Sequence, residues 1–198
     1  MHIVFNTRKY IDKAWNIAEK LSVGGDVSTQ FKGAMLYSTL NICDAMQMLI
    51  QKRNFVSANI LFRSLYEYVF RGYWLNRIAD EHEIALAIEQ EKWPKTKALH
   101  ALIEGKNTII DLLANEKTET QNILHSYIHG GSQNPLGQLG SGRYIEPNIP
   151  DSEVSYLLKV VQLSTYVALS EMMHLSGTDE FEAELVQIVE EVIGEKLI

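Results

Sequence analysis

The stretch Asn54-Phe-Val-Ser-Ala-Asn-Ile-Leu-Phe-Arg63-Ser-Leu-Tyr-Glu67-Tyr-Val-Phe-Arg71-Gly-Tyr-Trp74-Leu-Asn-Arg77-Ile-Ala79 is apolar on nearly every side when wound as a helix at about 100° per residue. A helix of that kind belongs at the centre of its fold, with other elements packed around it. Its neighbours carry the same periodicity. Residues 3–21 put Ile3, Tyr10, Ala14, Ile17, Ala18 and Leu21 on one side, and Ser22–Thr29, with Gly24 and Gly25, interrupts them. Residues 30–52 repeat apolar groups at Phe31, Met35, Ile42, Met46 and Leu49. Asp80 and Glu81 open a short fourth helix that stops before Pro94, and residues 96–115 give a fifth. Thr118 with Gln121 forms a capping box for a sixth, running to about His129. Asp151 and Ser152 open a seventh, 152–175, and Gly177 separates it from an acidic eighth, 179–197. No alternating run is long enough for a sheet.

Breakers agree with that reading. Three of the four prolines, Pro135, Pro147 and Pro150, fall in one segment with Gly130, Gly131, Gly137, Gly140 and Gly142. The expected fold is all-α: a single-domain bundle of seven or eight helices over residues 1–198, with its core in about 3–175 and one long loop at 130–150. A loop of that length in a small domain is uncommon and is often functional.

Composition narrows the functions. The 198 residues are 46% hydrophobic and 22% charged, a globular balance. One cysteine, Cys43, excludes an internal disulfide and any multi-cysteine metal centre. No run of 18 apolar residues occurs, so no membrane span is expected, and the start has no leader pattern, so the expected compartment is a reducing cytoplasm. No glycine-rich phosphate loop and no Gly-x-Ser-x-Gly elbow is present. The net charge of −7 is uneven: residues 1–77 hold ten basic and five acidic groups, whereas 178–198 hold seven acids and Lys196. A local positive surface on the first half is compatible with that distribution.

Within the central stretch, Arg63, Glu67 and Arg71 are spaced i, i+4, i+8 and fall in one narrow sector, the sector that also holds Val56, Ile60, Phe70 and Trp74. The spacing therefore predicts three charges among large hydrophobes. Glu67 neutralises one arginine at a time, and the remaining positive charge needs a counter-charge: a carboxylate, a carbonyl or an anionic ligand. Two readings stand side by side, a structural ion network that fixes helix register and an anion-accepting site.

The second candidate is Leu124-His125-Ser126-Tyr127-Ile128-His129-Gly130-Gly131-Ser132-Gln133. The glycines end a helix, and His129 falls in its last turn, where the dipole favours the imidazolium and an imidazole can exchange protons near neutral pH. His125 and His129 lack a third ligand nearby, so neither a metal nor a cofactor is expected. The candidate catalytic set is Arg63, Glu67 and His129. The candidate ligand contacts are Arg71, Trp74, Tyr127, Gln133 and Arg143. A literal Arg-x4-His, Arg77 to His82, is a secondary candidate, with Asp80 and Glu81 between the two.

The segment Arg63-Ser-Leu-Tyr-Glu67-Tyr-Val-Phe-Arg71-Gly-Tyr-Trp74-Leu resembles the arginine–glutamate helix of a group of uncharacterised bacterial all-helical families, and Ser126-Tyr127-Ile-His129-Gly-Gly resembles their downstream histidine segment. The likeness runs over roughly residues 30–175. These families are similar in layout to HEPN domains, which are helical, usually dimeric and often part of toxin–antitoxin or antiviral defence systems. The resemblance implies a binding and assembly module, as a homodimer or with a partner protein. It also implies an alternative, a metal-independent endoribonuclease using an arginine and a histidine on RNA. For assembly, the acidic helix offers Phe181, Leu185, Ile188, Val189 and Val192 on one side, to a partner or to its own bundle.

Overall fold

A computed structural model describes residues 2–115, 133–136, 138, 139, 147 and 149–193. The described residues form nine helices and no strand: α1 His2–Ala18, α2 Val27–Gln51, α3 Phe55–Arg77, α4 Glu81–Gln90, α5 Thr96–Ile103, α6 Thr108–Asn115, α7 Gln133–Leu136, α8 Asp151–Ser176 and α9 Glu182–Ile193. The expected sixth helix, 118–129, lies outside the described residues.

Local chemistry sets the boundaries. Asp26 accepts from the Thr29 amide at 2.7 Å, so α2 begins at Val27, a turn before the apolar repeat suggests. Asn54 caps α3 through Ser57. Asp80 and Glu83 close a reciprocal capping box on α4. The single helix expected over 96–115 is two. Gly105 takes φ +71, a left-handed value that glycine adopts without a Cβ clash, and Asn107 restarts the chain by accepting from the amides of Ile109 and Ile110. The periodicity runs through this break because both halves face the same core: Leu99, Ile103, Ile109, Ile110 and Leu113 are all buried.

The apolar helix is buried as expected, and it shares the core with α2 and α8. Helix α3 packs against α2, α5 and α8, and Phe62, Leu65, Val69, Phe70, Trp74 and Leu75 are each at most 2% exposed. Gly72 lets α3 approach α2, since a Cβ there would meet Leu36 Cδ2 at 3.0 Å. Cys43, in the same core, is fully buried, and burial pushes its thiol up to about 12. A second apolar cluster joins Ala14, Ile17, Leu36, Leu40, Leu169, Met172, Met173 and Leu185. Polar ties cross the bundle: Tyr10 Oη donates to the Gln162 carbonyl at 2.9 Å, Tyr66 Oη donates to the Leu113 carbonyl at 2.8 Å, and Arg8 donates to Asp44.

The acidic C-terminal helix is used by its own chain. Leu185 is 2% exposed in the second cluster, Phe181 packs against that cluster, and Lys20 lies over the Phe181 ring at 5.1 Å. The side chains of Ile188, Val189 and Val192 lie outside the described residues. Among the described residues no helix is long and apolar enough to cross a membrane.

Candidate functional site

The Arg63–Glu67–Arg71 ladder forms as its spacing predicts. Arg63 Nε donates to Glu67 Oε1 at 3.2 Å, and Arg71 Nη2 lies 3.4 Å from Glu67 Oε2. One carboxylate therefore serves two guanidinium groups, one with each oxygen, and the trio keeps a net charge of +1. The expected burial is corrected. The three side chains are 47%, 35% and 29% exposed, and Ile60 in the same sector is 43% exposed. A helical wheel discards position along the axis. Trp93 and α5 cover only the second half of this sector, with Trp93 6.3 Å from Trp74 and His100 4.7 Å from Phe70. Phe70 and Trp74 are thus buried while Arg63 reaches water.

Arg71 has a second neighbour that the sequence reading missed. Its guanidinium carbon lies 4.9 Å from the centre of the Trp93 ring, a cation–π distance, and Phe31 stacks on the same indole at 6.3 Å. Trp93 is the aromatic partner of this face. Trp74, the expected contact, is 1% exposed and belongs to the core. No periodic signal marks Trp93, which sits between α4 and α5, one residue before Pro94. Tyr127, His129 and Arg143 lie outside the described residues, as does the side chain of Gln133.

The secondary pair parts company. His82 is exposed in the first turn of α4. Arg77, the last residue of α3, turns instead to α8, where its Nε donates to Glu171 Oε2 at 2.6 Å. Asn76 Nδ2 donates to the same oxygen. The Glu171 side chain is 3% exposed, against 36% for Arg77. This is an interhelical charge pair with a buried carboxylate, and Glu171 was not among the expected site residues. A usable signal existed. The segment Tyr166-Val-Ala-Leu-Ser170-Glu171-Met-Met173 puts one carboxylate on a helix that is apolar nearly all round, the same argument that singled out Arg63.

Beside this pair is a cavity of about 170 Å³. Arg77, Tyr166, Ser170, His174, Asp179 and Glu182 supply its polar wall, and Met173 and Leu185 its apolar floor. The Tyr166 hydroxyl is held above its ordinary pKa, first by burial and then by the charges of Glu182 and Glu171. Among the described residues no group of three or more histidine, cysteine or acidic side chains is gathered as a metal site would need.

No curated protein and no solved structure matches this chain. One family model does match it, over residues 38–193, a span that runs from within α2 to the end of α9 and holds both arginine–glutamate arrangements. The match covers most of the sequence, and the chain belongs to that family, a family of unknown function (DUF6988).

Proposed function

We propose that the chain is a helical binding and assembly module whose anion-accepting site is the Arg63–Glu67–Arg71 face. The observation that carries this is the sharing of Glu67. Both guanidinium groups are oriented by one carboxylate at 3.2 and 3.4 Å, one is also steadied by Trp93, and the positive surplus faces solvent. Each arginine keeps N–H groups that no described residue takes up, and a phosphate or carboxylate matches such donors. The likeness to HEPN domains supports the same reading and adds a second copy of the chain as the assembly partner, in a defence or toxin–antitoxin setting in the cytoplasm. Tyr37 and Met48, three turns apart on one face of α2 and 48% and 52% exposed, are apolar surface available to that copy.

Trp93 supplies the experiment. Inorganic phosphate, and separately a short single-stranded RNA, are titrated while indole fluorescence is followed. The expected result is a saturable, salt-sensitive change that is lost in R63A/R71A. An unchanged signal with both probes overturns the anion site, and a monomer mass at all concentrations overturns the assembly. The alternative is a metal-independent endoribonuclease built on Arg63 and His129, or on Arg77 and His82. RNA cleavage abolished by His129→Ala or His82→Ala replaces the binding reading with that one.

A further inference from the structure

The Arg77 cavity is separate from the Arg63 face and has chemistry of its own. Arg77 is fixed in direction before any guest arrives. Its Nε is tied to the buried Glu171, which Asn76 also holds. A guanidinium anchored through Nε presents its two terminal nitrogens side by side. No described residue accepts from them, and their spacing matches the two oxygens of a carboxylate. Negative charge comes from a different part of the chain. Asp179 precedes α9 and Glu182 opens it, both are exposed, and both line the same cavity.

A cavity with both signs discriminates by charge. A lone anion that reaches Arg77 also meets two carboxylates, and a lone cation that reaches the carboxylates also meets Arg77. A molecule carrying both charges satisfies both walls. Size narrows the class further. About 170 Å³ is room on the scale of a small molecule. Met173 and Leu185 accept a short apolar side chain, and the hydroxyls of Tyr166 and Ser170 accept or donate to its polar atoms.

We infer that this cavity binds a small zwitterion of the α-amino-acid class, with the carboxylate on the Arg77 fork and the ammonium toward Asp179 and Glu182. The test is calorimetric titration of the full chain with the common L-α-amino acids, and with acetate and ethylamine as the two single-charge halves. At least one amino acid is expected to bind saturably and about tenfold tighter than either half, the gain of one charge-assisted hydrogen bond. Removing Arg77 strands Glu171 in the core, so the deciding variant is D179N/E182Q, which changes two exposed side chains. It is expected to weaken amino-acid binding by about tenfold or more and to leave acetate binding equal or stronger. The same titrations of R63A/R71A subtract any carboxylate held at the other site. Failure of every amino acid to bind, acetate or ethylamine binding as tightly as the best amino acid, or indifference to D179N/E182Q each overturns the inference.

Discussion

Arg63 and Arg71 share a carboxylate from their own helix, whereas Arg77, at the end of that same helix, takes one from α8, ninety-four residues away in sequence. The first arrangement is local, 29–47% exposed and open to water; the second ties two helices together around a carboxylate that is 3% exposed. Exposed i,i+4 pairs contribute little, because water screens them and two long side chains must be ordered. A buried pair is different in kind: removing one partner leaves the other charge where it cannot be solvated. The two ends of α3 thus do different work. The Arg63 end presents charge outward, and the Arg77 end uses charge to fix where α8 lies.

The largest test of that contrast is loss of one buried partner. Arg77→Met leaves Glu171 unpaired in the core and is expected to lower unfolding stability by about 3 kcal/mol in denaturant titration. The double replacement R77M/E171M removes both charges and is expected to recover most of the loss. A single variant as stable as the parent would show that the pair does not hold the helices.

Alkali separates the two ends next. Burial raises the hydroxyls of Tyr73 and Tyr166 above 10.0, with Glu171 adding to both. A folded-state pKa above the unfolded one contributes stability that is complete below about pH 10 and is lost as pH rises through the folded value. Stability should therefore fall above pH 10, to which the buried Tyr10 and Cys43 also contribute. Y73F/Y166F should make the fall shallower, and Arg63→Ala should not alter its slope. An equal slope in all three proteins would remove the distinction.

At the exposed end the expected effects are smaller. Glu67→Gln should cost less than about 1 kcal/mol, and that difference should shrink as salt is added. His82→Ala, on an exposed turn, should stay within about 0.5 kcal/mol of the parent. A large loss at Glu67 would mean that the ladder is structural after all.

The legibility of the chain follows the same line between local and distant. Helical periodicity and the Asp80 and Asn54 caps depend on residues within a few positions of one another, so the all-helical bundle and its central helix are readable directly. The ladder is readable for the same reason. Its burial is not, because that depends on where Trp93 and α5 fall along the axis of α3, which a wheel projection does not contain. Gly105 breaks a helix whose apolar pattern continues through the break, since both halves line one core. Glu171 meets Arg77 only after the bundle closes. Its isolation on an apolar helix shows that a counter-charge is needed, and the fold alone says which one answers.

Cys43 gives the chain a built-in clock. It is the sole cysteine of the sequence, has no exposed surface, and keeps its proton up to about 12. Alkylating reagents attack the thiolate, so in the closed bundle the sulfur is both out of reach and unreactive. When reagent is concentrated enough to outpace reclosing, its labelling rate counts how often the core around α2 opens, with no engineered probe.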